Sequence, residues 1–376
     1  MSQQQPGEPV RVAHLIHSLG PGGAENVLVE LANAASAGGL EPVFVGLSPH
    51  PDPVHARTLR SLGFPVIELG RGRWDPRAVP GTIQVLREHR IQVVHTHLKH
   101  ADLVGALAGS RLGLPVVSTL HVIEDAPATR LARYKVLAGL LGRRRFAART
   151  LAVSHSQMRW YQQLAGTTEG IQVLPNGVAD PGVPSAEDRA RIRAELEVPE
   201  GGLLIGSASL MRPEKGHHLL LDAIARLDPA LPVTVALAGD GPLRAELESR
   251  VAADPALAGR VRFLGYRDDV PVLLGATDLV LHCSLADALP TTLIHALAVG
   301  VPAVATEVGG IPDIVTPETG LLAPTEPAEI ASAVEKLAGD PALRARLGAA
   351  GRDIFLERFE ATGWVRRLRE VYDSLA

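Results

Sequence analysis

Short apolar runs alternate with longer stretches of helical period along most of the chain. "VRVAHLIHSL" reads as a strand, "GPGG" as a turn, and "AENVLVELANAASAGG" as a helix whose apolar residues recur at helical spacing and whose end is marked by glycine. "EPVFVGLS", "FPVIELG", "IQVVHTH", "LPVVSTLH" and "RTLAVSH" continue as strands, and "DLVGALAGSRLG" as a helix between two of them. Strands rich in Val and Ile that alternate with helices predict a parallel sheet buried on both faces.

The pattern breaks after "IQVLPNG". Residues 181–199, "PGVPSAEDRARIRAELEVP", are flanked by proline and highly charged, which predicts a linker carrying a short helix. The alternation then restarts with "GLLIGSASL", "HHLLLDAIARL", "VTVALAG", "PLRAELESRVAA", "VRFLGY", "DLVLHCS", "LPTTLIHALAVG" and "PAVATEV". Two such series predict an α/β protein of two Rossmann-like, doubly wound parallel-sheet domains facing across a cleft. Their expected limits are residues 1–180 and 181–355, with a final helix over 356–376.

Composition narrows the classes. The chain has 376 residues, enough for two cores, and 46% are hydrophobic, so it is globular and not disordered. A net charge of −4 excludes a generally basic nucleic-acid binder. Residues 1–180 carry 18 basic and 13 acidic side chains against 19 and 28 beyond them, which either suits the first half to anionic partners or is drift in surface composition. A single cysteine, Cys283, makes no internal disulfide; it fits a reducing cytoplasm and reads as a small core residue. No segment reaches the roughly 20 apolar residues of a membrane span, and "MSQQQPGEPV" lacks a secretory apolar stretch.

Ligands of such sheets sit beyond the carboxyl ends of the strands, so the residues there are the candidates. "SLGPGGAE" puts Gly20, Gly22 and Gly23 between a strand and a helix, where free amides and the helix dipole favour phosphate; a plain tight turn is the alternative. The dinucleotide fingerprint fails, because Glu25 stands at its third glycine position. Arg212 and Lys215, in "MRPEKG", can neutralise an anion or be ordinary solvated loop charges. Gly239 with Gly241, and Gly309 with Gly310 ahead of Pro312, repeat the strand–glycine–helix arrangement.

Histidines gather at the same ends. "HTH" sets His95 and His97 on one face, and His121 closes "STLH". Two imidazoles on one face suggest a metal, but no third ligand stands at a recognisable spacing and no Asp-x-Asp pair occurs, so no metal is expected. His97 or His121 instead suits a bond to a substrate hydroxyl or a role in holding its loop.

"GPGGAE", "HTH", "STLH", "VSHS", "VLPNGV", "GSASLMRPEKG", "ALAGDGPLR", "VRFLGY" and "SLADALPTTLIHALAVGVPAVATEVGGIPDIV" follow one another in an order that resembles family 4 of the retaining glycosyltransferases, over residues 10 to about 375. The resemblance implies the two-domain GT-B fold, with "ERFEATGWVRRLREVYDSLA" as a last helix that returns to the first domain. It implies transfer of a sugar from a nucleotide-diphosphate sugar to a carbohydrate, lipid-linked or small-molecule acceptor, with retained configuration, no metal and no cofactor. Gly22 and Gly23 would lie beside the donor diphosphate, and Arg212 and Lys215 would neutralise it. His121 would bond the donor sugar, and Asn176 would lie near the hinge. Gly239, Leu289, Pro290 and Thr291 would line the nucleotide in the second domain, with Glu25 and His97 on the acceptor side.

One departure matters. The family usually carries two glutamates eight residues apart, the first near the sugar and the second on the ribose; here Asp287 and His295 stand at those positions, and Ala288 replaces the usual glycine. A carboxylate–hydroxyl bond contributes roughly 1.5–3 kcal/mol against about 1 for a neutral one, so the imidazole would cost about tenfold in nucleotide affinity. Charge builds on the departing diphosphate, so cations and helix N-terminal amides aimed there would stabilise the transition state. Residues 129–149, with Arg143, Arg144 and Arg145, could lie as an amphipathic helix on an anionic membrane surface, or be an ordinary surface helix. Rival readings are a dinucleotide oxidoreductase, a sugar-nucleotide epimerase and a binding-only protein.

Overall fold

The computed structural model describes residues 8–73, 75–122, 143 and 145–375. The chain divides into two compact units, one of residues 1–179 with 360–376 and one of residues 180–359.

Among the described residues, the first unit holds seven strands: β1 (Val10–Ile16), β2 (Leu40–Gly46), β3 (Val66–Glu68), β4 (Val93–His97), β5 (Val116–Thr119), β6 (Arg149–Ala152) and β7 (Ile171–Val173). Every pairing is parallel, in the order β3-β2-β1-β4-β5-β6-β7. The order reverses between β1 and β4, where Val12 lies opposite Val93 and His14 opposite His95. One sheet face packs Val12, Ile16, Phe44, Val93 and Val117 against the helix Gly23–Ala34 and the last helix, Ala361–Asp373. The other packs Ala13, Leu15, Val43, Val45 and Val94 against the helices Ala78–Glu88 and Lys99–Leu112. Alternate residues of each strand face opposite layers, which is why these strands read as continuous apolar runs.

The last helix belongs to this first unit because of its apolar stripe. Trp364, Val365, Leu368, Val371 and Tyr372 recur at helical spacing and are buried on the first sheet face. Glu360 caps its start, Oε1 accepting from Thr362 N–H at 2.9 Å and Oε2 from Gly363 N–H at 2.8 Å. Gly177 lies against Trp364 so closely that a Cβ there would fall 2.7 Å from the Trp364 Cβ.

The second unit holds β8 (Leu203–Ala208), β9 (Val233–Ala238), β10 (Val261–Gly265), β11 (Leu279–His282), β12 (Ala303–Thr306) and β13 (Gly320–Ala323), again all parallel, in the order β10-β9-β8-β11-β12-β13. Its order reverses between β8 and β11. The charged stretch expected to be a linker forms the helix Ala186–Glu195, and it is anchored: Arg189 and Arg193 both bond the carboxylate of Asp278, which also accepts from Leu204 N–H at 2.8 Å. Arg352 pairs with Asp180 at 2.6 Å, tying the end of this unit to its beginning. Glycine 309 and 310 lead into a single 3-10 turn, Ile311–Asp313, shorter than the helix the sequence suggested.

Candidate active site

In the second unit the polar groups converge where the strand order reverses, beyond β8 and β11. After β8 the chain makes a 3-10 turn, Pro213–Lys215, and Gly216 enters the helix His217–Ile224 with φ of 63°. A Cβ on Gly216 would fall 1.9 Å from the Cys283 carbonyl oxygen, so only glycine lets this turn lie against the end of β11. Leu285 N–H donates to the Glu214 carbonyl at 2.8 Å and closes the contact. The result sets Lys215 Nζ 2.5 Å from Asp287 Oδ2. Ser284 Oγ donates to the same oxygen at 3.2 Å, and His282 Nε2 lies 3.4 Å from it. Burial acts to raise the Asp287 pKa, but the hydrogen bond from His282 and the charge of Lys215 outweigh it and hold the carboxyl at about 2.

Asp287 is also fixed through its backbone. Gly310 N–H donates to its carbonyl at 2.9 Å, and Gly309, at φ of 54°, comes so close that a Cβ would fall 1.9 Å from that oxygen. The helix Thr291–Ala298 starts just after, with Pro290 as its N-cap residue and Leu289 buried behind it. Thr292 Oγ1 donates to the Ala208 carbonyl at 2.5 Å and ties this helix to β8. His295 stands in the same helix; its Nδ1 is buried without a partner, and burial lowers the ring's pKa to about 4. His217 is similar, with an unpartnered Nδ1 and a pKa lowered to about 4, first by burial and then by the nearby His282, His218 and Lys215. Gly239, at φ of 131°, lies against the Ser209 carbonyl, where a Cβ would be 2.0 Å from the oxygen. Arg212 is exposed at the start of the turn.

The structure therefore brings Lys215, Asp287 and the start of the Thr291–Ala298 helix together. Sequence reading missed His282, Ser284 and His217. The signal for the first two was their position at the end of β11, in "LHCS", next to the cysteine taken as core. Cys283 itself is buried and its thiol is pushed far up, so it is inert packing.

In the first unit the groups cluster beyond β1, β4 and β5. Gly22 is the extended N-cap of the helix Gly23–Ala34, and Glu25 in its first turn folds back over it: a Cβ on Gly22 would meet Glu25 Oε2 at 2.1 Å. Burial raises the Glu25 pKa, with its own backbone and His50 opposing. Nothing lies within 4 Å of a Cβ built on Gly23. His97 ends β4, and the next residue, Leu98, adopts a φ of 71°, a conformation a leucine takes only under tertiary constraint. His97 Nδ1 lies 2.9 Å from His121 Nε2, and His97 Nε2 lies 3.1 Å from His14 Nδ1. His17 and His100 pair through their Nδ1 atoms at 3.0 Å. Asn176 is buried.

His14 is the third imidazole that spacing did not reveal. It comes from a different strand and meets His95 only because β1 and β4 are paired in that register. Nitrogens of His14, His95 and His97 lie within 4.8 Å of one another, near enough to gather a cation. Both nitrogens of His95 are already bonded, however, Nδ1 to Tyr372 Oη at 2.6 Å and Nε2 to Thr119 Oγ1 at 2.7 Å.

The arginine patch is corrected. Arg143 is buried, and its guanidinium bonds Asp102, with Nε 3.1 Å from Oδ2. Asp102 also accepts from Thr96 Oγ1 at 2.6 Å and Ser118 Oγ at 2.7 Å. A buried carboxylate needs such a partner, so Arg143 is committed to the core and is not available to a membrane surface. Arg145 is exposed; residues 129–142 and Arg144 lie outside the described residues. Among the described residues, no helix is long and apolar enough to cross a membrane.

Comparison with known proteins gives a consistent result. Residues 202–340 match the family model described as glycosyl transferases group 1, and residues 21–180 match glycosyltransferase family 4. A D-inositol 3-phosphate glycosyltransferase of Salinispora tropica is 30% identical over 380 residues, covering 92% of this chain and 77% of the relative. A 2-deoxystreptamine glucosyltransferase of Streptomyces kanamyceticus is 29% identical over 76% of this chain and 78% of its own length. Among solved structures, Alr3699/HepE of Anabaena in complex with UDP superposes with a TM-score of 0.86 at 25% identity, over 97% of this chain and 100% of that one. The two parallel-sheet units are those of the GT-B fold, and the chain belongs to the group 1 glycosyltransferases of family 4.

Proposed function

We propose that the protein moves a sugar from a nucleotide-diphosphate sugar to a hydroxyl acceptor, with retention at the anomeric carbon and without a metal. The observation that carries this reading is the Lys215–Asp287 pair at the reversal of strand order in the second unit, beside the start of the Thr291–Ala298 helix. A cation and helix amides at such a point suit a diphosphate. In this reading Lys215 and Arg212 neutralise the departing diphosphate, and the leaving phosphate oxygen takes the proton of the acceptor hydroxyl as that hydroxyl attacks from the same face. Asp287 aims Lys215 and stays charged. Gly239, Leu289, Pro290 and Thr291 line the nucleotide, and His295 bonds a ribose hydroxyl through one ring nitrogen. The first unit takes the acceptor, with Glu25 on that side; His97, which the sequence also suggested for that side, is buried with both ring nitrogens bonded to His14 and His121 and supports His121 instead. Gly22 and Gly23 stand beside the diphosphate, and His121 bonds the donor sugar.

UDP is the first nucleotide to test, since HepE was solved with UDP and with UDP-glucose. The names of the relatives, whose products include glycosylated 2-deoxystreptamine and inositol phosphate, favour a small polyhydroxylated acceptor. Lipid-linked and envelope-glycan acceptors form the second set to screen.

A melting-point panel of UDP, GDP and their sugar conjugates tests the donor, because a ligand bound only to the folded protein raises the midpoint. Lys215→Ala should weaken the stabilising nucleotide about 10- to 100-fold, the loss of one charge-assisted contact. Nucleoside diphosphate release that needs an acceptor supports transfer. Release without acceptor points to an epimerase or hydrolase, and binding without release to a non-catalytic protein. Proton NMR of the product's anomeric coupling decides retention.

A further inference from the structure

A line of imidazoles runs outward from the core of the first unit. His14 Nδ1 lies 3.1 Å from His97 Nε2, and His97 Nδ1 lies 2.9 Å from His121 Nε2. The ring centroids lie 5.4 Å apart for His14 and His97, at an interplanar angle of 25°, and 5.2 Å apart for His97 and His121, at 37°, so the rings meet edge to edge through their nitrogens. Burial keeps all three neutral near pH 7: it lowers His14 to about 3, His121 to about 4 and His97 well below its ordinary value.

A neutral imidazole has one N–H and one lone pair. His97 takes part in both bonds, so the protons of the three rings are set together, and only two arrangements satisfy both contacts. In the first, every ring is protonated on Nδ1: His14 donates to His97, and His97 donates to His121, which keeps an Nδ1–H on its far edge. In the second, every ring is protonated on Nε2 and the donation runs inward, so His121 keeps a bare Nδ1.

The inner end decides between them. His14 Nε2 is buried and meets no partner. The first arrangement leaves a lone pair there; the second leaves an N–H. Orphaned buried N–H groups are the rarer of the two in folded proteins. A cation shared by His14, His95 and His97 is the competing use of these rings. It is disfavoured because both His95 nitrogens are already bonded and the group holds no carboxylate to offset a buried charge.

We infer that His97, anchored by His14, is a positioning residue that fixes His121 as the Nδ1–H tautomer, so that His121 presents a hydrogen-bond donor to its ligand. The consequence for the ligand rests on the role proposed for His121 above. The atom it meets must be a lone-pair acceptor, such as a sugar hydroxyl or ring oxygen, and an ammonium at that position would be rejected.

The test is a multiple-bond proton–nitrogen correlation on the full chain labelled with 15N-histidine, at pH 7.5, with each ring assigned from its His→Asn variant. The expected spectrum has His14, His97 and His121 all protonated on Nδ1. This is informative because a histidine free in water prefers Nε2–H. Any of the three protonated on Nε2 overturns the inference. His97→Leu removes the bond to His121, whose ring should then revert to mostly Nε2–H; an unchanged Nδ1–H in the folded variant also overturns it. Should that variant fail to fold, the wild-type spectrum decides alone. Stoichiometric Zn²⁺ that shifts His14, His95 and His97 together would overturn it in favour of a metal centre. Nucleotide binding enters none of these readouts, so failure here leaves the proposed transfer standing, and failure to bind UDP leaves the tautomer standing.

Discussion

Lys215 Nζ stands 2.5 Å from Asp287 Oδ2, although 72 positions separate the two residues. The contact makes Lys215 part of the fold as well as a candidate ligand of phosphate. Removing it leaves a largely buried carboxylate with only His282 and Ser284, so Lys215→Ala should also cost stability, about 1–3 kcal/mol.

Asp287 gives a pH test. Its folded-state pKa, about 2, lies below the ordinary 3.8. The stabilisation is therefore complete above the unfolded value and lost as pH falls from about 4 towards 2. The difference corresponds to roughly 2 kcal/mol. Asp287→Asn should be less stable than wild type by about that amount at pH 7, and the two should converge near pH 2. Urea unfolding at a series of pH values measures this; a gap that stays constant across the range would remove the assignment.

The glycines at the strand ends are not equivalent. Gly309, at φ of 54°, has the Asp287 carbonyl oxygen 1.9 Å from a built Cβ, whereas Gly23 has nothing within 4 Å. Gly309→Ala should cost about 2–4 kcal/mol and displace Asp287. Gly23→Ala should leave stability within about 0.5 kcal/mol. A loss of nucleotide or acceptor binding in a fully stable Gly23→Ala variant would then report on ligand contact and not on folding. Thermal and chemical denaturation separate the two cases.

His295 should show opposite effects on stability and binding. Its Nδ1 is buried without a partner, which costs the folded state and has no structural return. His295→Leu should leave stability unchanged or raise it by up to about 1 kcal/mol, while affinity for the nucleotide that stabilises the wild type falls about 5- to 10-fold. His295→Glu should raise affinity about tenfold if the imidazole is a weaker ribose ligand than a carboxylate. Calorimetric titration of both variants checks this, and affinities equal to wild type would count against the ribose contact.

The buried histidines make the first unit acid-sensitive. His14 titrates near 6.5 when unfolded and at about 3 when folded, because burial penalises its charged form. The unfolded chain thus binds the extra proton between those values, and stability is lost as pH falls through the window, by about 1.4 kcal/mol per unit for each such histidine. His95, His97 and His121 shift in the same direction. Unfolding free energy should drop steeply below pH 6.5, and His14→Phe should reduce the slope by about one proton. A flat profile between pH 6.5 and 5 would contradict the buried, neutral assignment.

Several of these features were readable in advance. The strand–helix alternation, the break near residue 180, the placing of His95 and His97 on one face, and the glycine turns all follow from local periodicity and turn chemistry. Arg143 was misread because its apolar and basic neighbours look like a surface helix. The carboxylate that draws it inward, Asp102, is far away in sequence and already held by Thr96 and Ser118. His14 escaped notice because spacing along one strand says nothing about a partner on another.

The order of apolar and polar positions by itself determined two parallel α/β units and the strand ends where chemistry must lie. Burial on both faces leaves parallel strands little other choice. Tertiary structure alone decided which side chains meet there. Lys215 reaches Asp287, and His14 reaches His97, only through the pairing of β8 with β11 and of β1 with β4. Strand order in a parallel sheet is set by how the connecting helices pack, a long-range property that no local pattern encodes.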